Sequence, residues 1–170
     1  VSTGIANYYV STSAELQSAL TEAQSNGLDD VVHIAQGTYV GNFVYASTEG
    51  NSLSILGGYS SDFESITADA ANTTLDGNSL GGVITLMAST ADADIHVSGL
   101  TLQNGNSAKG SGIRIETLGF VQVANNTIKN NISDYGGGVY LSGSNVLITD
   151  NIITSNISGL YGGGIYIEGG

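Results

Sequence analysis

The sequence contains no cysteine, no proline and no tryptophan in its 170 residues. Without cysteine there is no disulfide framework, no thiolate metal site and no cysteine nucleophile. Without proline, the 25 glycines do not form a collagen-like triplet pattern. No apolar run is long enough to cross a bilayer as a helix, and the first nine residues do not have the pattern of a signal peptide. We therefore expect no membrane insertion.

Positive charge is also scarce. Three basic residues, Lys109, Arg114 and Lys129, stand against 15 acidic ones, giving a formal net charge of −12. Nucleic-acid binding needs a footprint of Lys and Arg, so the sequence predicts no nucleic-acid partner. Only 11% of the residues are charged, yet 41% are hydrophobic, which is too many for a disordered chain. Cationic ligands, divalent ions and neutral glycans remain compatible with this composition.

An internal repeat with a period of about 25 to 26 residues organises the C-terminal half. Three segments align, and each is followed by a Gly-rich return to an alternating triplet. The segments are 95–105, 121–131 and 146–156, and the triplets lie within 110–116, 136–142 and 162–168. Apolar residues alternate with polar ones, which is the period of a β-strand. One chain turn per repeat, with equivalent strands stacked in parallel, predicts a parallel β-helix.

Equivalent apolar positions should form interior columns with a rise of about 4.8 Å per turn. The five predicted columns are Ile95/Val121/Val146, Val97/Val123/Ile148, Leu102/Ile128/Ile153, Ile113/Val139/Ile165 and Ile115/Leu141/Ile167.

Asparagine and glycine occupy the corners between these strands. Stacked asparagines at a bend hydrogen-bond from turn to turn and tolerate left-handed backbone, so we interpret them as structural. The predicted ladder pairs are Asn126 with Asn151 and Asn131 with Asn156, which align with Leu100 and Gly105 of the first repeat. Glycines at corners or close backbone approaches are Gly112, Gly138 and Gly164.

The N-terminal half is a looser version of the same pattern. Residues 1–30 are predicted to form a cap, with a strand and a helix over 13–26. Thr12 and Glu15 fit a capping box, and an apolar stripe follows, made of Leu16, Ala19, Leu20 and Ala23. Irregular turns are expected over 31–94, with a longer excursion at 60–72, and regular repeats over 95–170, all within one domain.

Several stretches resemble the right-handed parallel β-helix, pectin-lyase-like superfamily. They are STSAELQSALTEAQSNGLDDVVHIAQGTYVGNF (11–43), LSILGGYSSDF (53–63), TTLDG (73–77), GLTLQNG (99–105) and the GGGVY and GGGIY returns (136–140 and 162–166). The stretches at 53–63, 73–77 and 99–105 are similar to large bacterial surface β-helix repeat proteins of the choice-of-anchor type. The returns at 136–140 and 162–166 are similar to the repeats of polymorphic outer-membrane proteins. The resemblance implies an all-β, right-handed solenoid and a secreted or cell-surface location. The superfamily hosts lyases, hydrolases and adhesins, so it does not imply one activity.

Pectate lyases of this superfamily need an acidic calcium cluster and a base, and its hydrolases need clustered aspartates, a histidine and an Arg-x-Lys. Neither set is matched. Arg114, the only arginine, should point outward between Ile113 and Ile115 and stack on Tyr140. Glu116 and Glu168 would occupy equivalent positions two turns apart, with a separation of roughly 9.6 Å. This is the outer edge of the separation between the two carboxylates of an inverting glycosidase. We therefore predict no catalytic residue, while the question of an enzyme stays open.

A surface formed by aromatic and charged side chains is the better candidate for binding. Tyr140 and Tyr166 should form an outward column on adjacent turns, suited to sugar stacking or protein contact, although such a column also stabilises a sheet by itself. Tyr135 and Tyr161 precede the Gly-rich returns at matching places. The predicted ligand-binding residues are Arg114, Tyr140, Tyr166, Glu116 and Glu168.

No metal site and no cofactor are predicted. His33 and His96 lie in strands with apolar neighbours and should face outward without matched acidic ligands. A weakly bound calcium ion remains open at three acidic positions: Asp29–Asp30, Asp92/Asp94 and Asp76.

The sequence ends partway through a turn, at GGIYIEGG. An uncovered solenoid end exposes strand edges and core, so either the coil continues in a longer protein or another subunit covers this end.

From the intact repeat, the unmatched catalytic sets and the acidic, charge-poor composition, we expect a non-catalytic extracellular structural or adhesive module, with a carbohydrate or a cell-surface protein as partner. A polysaccharide lyase or hydrolase and a self-assembling filament subunit are the alternatives.

Overall fold

The computed structural model describes residues 4–67, 69–143 and 145–169. Over these residues the chain winds about six turns of a parallel β-solenoid. Strands of successive turns pair in parallel and form four sheets that run along the solenoid. The predicted all-β parallel β-helix with one N-terminal helix is confirmed.

Each of the three main sheets receives a strand from nearly every turn. Sheet 1 contains, in order, β1 (Ile5–Val10), β2 (Asp29–Ala35), β5 (Leu53–Tyr59), β8 (Ile95–Ser98), β11 (Phe120–Ala124) and β15 (Asn145–Thr149). Sheet 2 contains β3 (Gly37–Val40), β6 (Thr73–Asp76), β9 (Thr101–Gln103), β12 (Thr127–Lys129) and β16 (Ile152–Thr154). Sheet 3 contains β4 (Phe43–Ser47), β7 (Ile84–Ala88), β10 (Ile113–Thr117), β14 (Val139–Ser142) and β18 (Ile165–Glu168). Sheet 4 pairs β13 (Ile132–Tyr135) with β17 (Ile157–Tyr161).

The interior columns are those that the repeat predicts. Val121 lies beside Ile95 and Val146, and the other four columns keep the same register. The core residues of the inner turns, such as Ile113 and Ile128, are completely buried. Burying one such side chain contributes roughly 1.5–3 kcal/mol, so a run of columns supplies most of the driving force for folding.

The first corner asparagine bonds to both neighbouring turns. The Oδ1 atom of Asn126 accepts a hydrogen bond from the backbone N–H of Leu100 at 3.1 Å. On the other side, the backbone N–H of Asn126 donates to Oδ1 of Asn151 at 2.9 Å. The Nδ2 atom of Asn126 also donates to that oxygen, at 3.1 Å. This is the predicted ladder.

The second corner repeats the arrangement. The Oδ1 atom of Asn131 accepts from the backbone N–H of Gly105 at 2.8 Å, and its own N–H donates to Oδ1 of Asn156 at 3.0 Å. The ladder asparagines themselves do not have left-handed backbone. The positive φ angles fall on the residue before each ladder position, which is Gly99, Asn104, Asn125, Asn130, Asp150 or Ser155.

The corner glycines divide into two kinds. Gly112 and Gly138 mark close approaches between turns, because a Cβ atom on Gly112 would lie 2.5 Å from the carbonyl oxygen of Gly138. At Gly164 the nearest atom would be 3.4 Å away, an ordinary contact. The left-handed backbone lies two residues earlier in each return, at Gly110, Gly136 and Gly162.

A short helix, α1 (Ser13–Ala23), covers the N-terminal end of the core. The capping box of Thr12 and Glu15 is present, and the predicted apolar stripe is buried. The helix ends at Ala23, three residues before the predicted end at 26. Gln17 shields the edge of β4, because its side-chain amide exchanges two hydrogen bonds of 2.9 Å with the backbone of Val44. No helix within the described residues is long and apolar enough to span a membrane.

Strands β2 to β7 contribute two strands to each main sheet, so the N-terminal half also follows the solenoid. The excursion over 60–72 leaves the coil after β5. It forms an antiparallel bridge between Tyr59 and Ile66 and a 3₁₀ helix, Ala70–Asn72, before β6.

A buried carboxylate lies beneath the cap. Asp30 is 1% exposed, and its Oδ2 atom has no hydrogen-bond partner among the residues that the structure describes. Its Oδ1 atom accepts a 2.6 Å hydrogen bond from Asn26. Burial raises the pKa of Asp30; the Asn26 hydrogen bond opposes this, and the charges of Asp29, Glu49 and Glu22 add to it.

Because the pKa of Asp30 is higher in the folded chain, the folded state keeps this proton to higher pH. The free energy of unfolding should therefore fall as pH rises through the folded pKa. We expect Asp30→Asn to raise Tm at pH 7, because the variant no longer buries a charge. The rise should be about 2–4 °C for each kcal/mol gained in the free energy of unfolding. The difference should shrink toward pH 3. Thermal unfolding followed by circular dichroism tests this, and a variant that melts below the parent protein at pH 7 would contradict it.

Candidate functional site

The candidate site lies on the outer face of sheet 3, where side chains form two columns. Arg114, Tyr140 and Tyr166 are aligned on consecutive turns, as predicted. Two residues further along the same strands, Glu116, Ser142 and Glu168 form the second column. Neighbouring members of a column are about 4.8 Å apart along the solenoid, so the face is a flat and regular array.

An ion pair joins the two columns at β10. The Nε and Nη2 atoms of Arg114 donate to Oε1 of Glu116 at 2.8 and 2.6 Å. The guanidinium also lies 5.9 Å from the ring centroid of Tyr140, so the predicted contact between arginine and tyrosine is present. Both charged side chains are about one-third exposed, at 33% and 31%. They are accessible to a ligand but held in place.

Tyr140 is buried, although it was expected to be exposed. It points outward from the sheet, but only 1% of its surface is accessible. The ring of Tyr166 stacks on it with centroids 5.8 Å apart. Lys109 crosses from the preceding turn and donates to its hydroxyl at 2.8 Å. That hydroxyl in turn donates to the carboxylate of Glu168, so Tyr140 is a structural anchor for the face.

Tyrosines from two turns cluster beside the columns. Tyr135 lies 5.8 Å from Tyr161 and 5.6 Å from Tyr166, measured between ring centroids. Tyr161 is 62% exposed. The matching spacing of these residues in the repeat predicted their alignment, and the structure shows that they also join the outward column. The accessible aromatic surface therefore comes from Tyr166 and Tyr161 rather than from Tyr140.

A shallow cleft adjoins Glu116, which sequence reasoning missed. It has a volume of about 280 Å³ and lies between the ends of β4, β7, β10 and β14. Met87, Leu118 and Thr117 line it together with Glu116, and Leu118 is 60% exposed. The only sequence signal was an apolar residue in the turn after β10, which predicts no cleft by itself.

The two glutamates have different partners. Glu116 is occupied by Arg114, whereas Glu168 accepts from Tyr140 and from Lys109, whose Nζ is 3.3 Å away. Ser142 separates them in the column. Each carboxylate thus has its own cation.

The histidines are held by neighbouring side chains. Nε2 of His33 lies 3.0 Å from Oδ1 of Asn7, and Nδ1 of His96 lies 3.0 Å from Oε1 of Gln122. Throughout the described ranges, no group of three or more His, Asp or Glu residues is placed to hold a metal ion.

Two of the candidate calcium aspartates, Asp76 and Asp94, bond to neighbouring backbone and amide groups. Burial opposes ionisation of Asp76, but hydrogen bonds from Gln103, Asn78 and Asn104 lower its pKa overall. Asp94 accepts from the backbone N–H of Phe120 at 2.8 Å. These bonds give the aspartates a structural role, and the weakly bound calcium ion stays a prediction.

No protein-family model matches the chain, and comparisons with curated proteins and with solved structures find no match. The class of protein is therefore defined by the geometry of the chain, which is that of a parallel β-solenoid repeat protein. Membership of the pectin-lyase-like superfamily stays a prediction.

Proposed function

We propose that this chain is a non-catalytic structural or adhesive module that acts outside the cell and binds carbohydrate on the outer face of sheet 3. The observation that carries the proposal is the pair of aligned columns on that face, with the Arg114–Glu116 ion pair beside an open cleft. A rigid parallel sheet holds these groups at a regular spacing, so little free energy is lost in ordering the protein when an extended ligand binds.

The chemistry of the face suits a neutral sugar chain. Tyr166 offers an aromatic surface for the apolar side of a pyranose ring. Arg114 and Glu116 offer a donor and an acceptor for adjacent hydroxyl groups, and the apolar wall of Leu118 and Met87 closes one side of the cleft. The net charge of −12 disfavours an acidic polymer such as a polyuronide.

Several contacts support a binding role over catalysis. Tyr140 and Lys109 are engaged with each other and with Glu168. Arg114 is engaged with Glu116. Each of these groups is bonded to a neighbour, which supports a role in holding the face in position over a role as a general base.

Binding of neutral oligosaccharides, measured by titration calorimetry after a glycan-array screen, tests the proposal. Arg114→Ala and Tyr166→Ala should each weaken binding about tenfold, which corresponds to about 1.4 kcal/mol. Lys129→Ala is the matched control, because it removes the same charge from the outer face of sheet 2 and should leave affinity unchanged. Equal losses in all three variants, or no glycan bound by the parent protein, would reject the carbohydrate site.

The enzymatic alternative has its own readout. If the face cleaves a polyuronide by elimination, unsaturated ends should appear as new ultraviolet absorbance on incubation. We expect none. Turnover that disappears in Glu116→Ala while folding is retained would replace the binding proposal with a lyase.

Self-association is a second candidate, favoured by one specific observation. The last described turn, β15 to β18, leaves apolar side chains exposed, including Ile157 at 59%, Leu160 at 59% and Ile167 at 51%. We propose that this surface pairs with a second copy of the chain. Light scattering over a wide concentration range should then give a mass that rises above 17.3 kDa, whereas a constant monomer mass would exclude self-pairing.

A further inference from the structure

An aromatic cluster lies at the opposite end of the molecule from the tyrosines of sheet 3. We define it as Tyr9 on β1, His33 on β2, Tyr59 at the end of β5 and Phe63 in the excursion. Tyr9 stacks on His33 with centroids 4.8 Å apart and ring planes inclined by 13°. Phe63 meets Tyr9 edge-on at 5.3 Å, and Tyr59 meets His33 edge-on at 4.9 Å.

The cluster is accessible. Tyr9 is 58% exposed, while His33, Tyr59 and Phe63 are partly exposed. Elsewhere, the positions that follow His33 along the same column of sheet 1 include small residues such as Ser98 and Ala124. Sheet 1 has one other ring contact, between His96 and Phe120. The group of four contacting rings is therefore larger than any other on this sheet within the described residues.

Phe63 is held in an unfavourable backbone conformation to reach this cluster. Its φ angle is +61°, a left-handed conformation that a bulky residue rarely adopts. A tight turn maintains it, with the backbone N–H of Phe63 donating to the carbonyl of Ser60 at 2.9 Å. Strain of this kind persists where the surrounding structure imposes it, and it accumulates at functional sites.

The electrostatic surroundings are strongly negative. All three Lys and Arg residues of the chain lie at or after residue 109, whereas most of the 15 acidic residues precede it. Asp62 and Glu64 flank Phe63 and are both exposed. Burial lowers the pKa of His33, so its ring adds aromatic surface rather than positive charge at neutral pH.

We propose that the aromatic cluster binds the cationic side chains of a basic segment on a partner protein. An arginine or lysine head group is attracted to the face of a tyrosine ring and is stabilised further by nearby carboxylates. The cluster matches this chemistry, because Asp62 and Glu64 flank its Phe63 and no Lys or Arg precedes residue 109 in the sequence to compete for its rings. Anionic partners are disfavoured by the same charges, and a neutral sugar would make no use of them.

Binding of a hexa-arginine peptide, measured by calorimetry and by the NMR shifts of the His33 ring, tests the proposal. Because the whole protein is acidic, variants that keep the net charge decide the outcome. Tyr9→Ala and Phe63→Gly should each weaken binding about two- to thirtyfold, the range expected for one cation–π contact. Tyr161→Ala is the control, because it removes an equally exposed tyrosine at the other end and should leave peptide affinity unchanged.

Phe63→Gly separates a binding role from a structural one. Glycine adopts a positive φ without strain, which offsets part of the stability lost with the ring contacts of Phe63. This variant should therefore stay folded while it loses affinity. Raising the salt concentration should weaken the peptide complex. The proposal is overturned if Tyr9→Ala and Phe63→Gly bind the peptide as well as Tyr161→Ala does. It is equally overturned if the His33 signals do not move on peptide addition, or if a neutral oligosaccharide displaces the peptide from the cluster.

Discussion

Replacing Asn131 with leucine should lower the free energy of unfolding by at least about 3 kcal/mol, since buried polar groups would lose their partners. The Asn131 side chain is completely buried. Its Oδ1 accepts from the N–H of Gly105 at 2.8 Å, and its Nδ2 donates to the carbonyl of Leu102 at 3.0 Å. A third bond, to Oδ1 of Asn156, continues the ladder at 3.0 Å. Leucine has a similar size but satisfies none of these groups.

Urea titration and thermal unfolding measure this effect, with an expected fall in Tm of about 6–12 °C. Asn130→Gly is a suitable control, because Asn130 is the adjacent exposed residue and has a φ of +57° that glycine adopts freely. The control should be close to neutral. If Asn131→Leu is as stable as this control, the asparagine ladder contributes nothing measurable and the structural interpretation of the corners is wrong.

Replacing Gly105 with alanine should destabilise the fold by about 3 kcal/mol, the upper end of the usual range for overpacking, because the new methyl group has no space. A Cβ atom at this position would lie well inside the contact distance of the carbonyl oxygen of Ser111. The obstacle is backbone from the same turn, so no side-chain rearrangement relieves it. The shift would also disturb the N–H of Gly105, which donates to Asn131.

Gly50→Ala provides the comparison for this clash. Gly50 is exposed, and a Cβ atom there would lie 3.6 Å from its nearest neighbour, on Asp92, which is an ordinary contact distance. We expect this variant to unfold within about 0.5 kcal/mol of the parent protein. Comparable losses from both substitutions would mean that general glycine flexibility, rather than the close approach at Gly105, controls stability.

The regular repeat made much of the fold predictable. Alternation of apolar and polar residues identifies strands, and a period of 25 to 26 residues identifies which strands stack. Ile113, Val139 and Ile165 therefore fall in one column in both the sequence and the structure. The corner asparagines were also predictable, because residues that recur at a bend on successive turns must lie beside one another.

The candidate site was only partly predictable. The strand register placed Arg114, Tyr140 and Tyr166 in one column, but the exposure of Tyr140 depended on groups outside that register. Lys109 lies in the return between repeats, where the sequence pattern does not define the path of the chain. The cleft beside Glu116 likewise depends on how Leu118 projects from a turn.

The N-terminal cap also combines features that local sequence predicts with contacts that it does not. The capping box and apolar stripe of α1 follow from local sequence, whereas the exchange of hydrogen bonds between Gln17 and Val44 joins residues 27 positions apart. Asp30 is a stronger case. It occupies an inward position of a strand, and no local pattern predicts that none of the described residues bonds to one of its oxygens.

The sequence by itself determined the solenoid, its stacking register and its polar corners, because each follows from a short-range period repeated on successive turns. The tertiary structure alone decided which outward side chains are accessible, which charges pair and where aromatic rings gather. Those properties depend on the paths of irregular returns and on contacts such as Tyr9 with Phe63, which join distant residues and leave no periodic trace. The aromatic cluster of Tyr9, His33, Tyr59 and Phe63 belongs to this second group. The columns on sheet 3 follow from the strand register, and the tertiary structure decided only their exposure and their pairing.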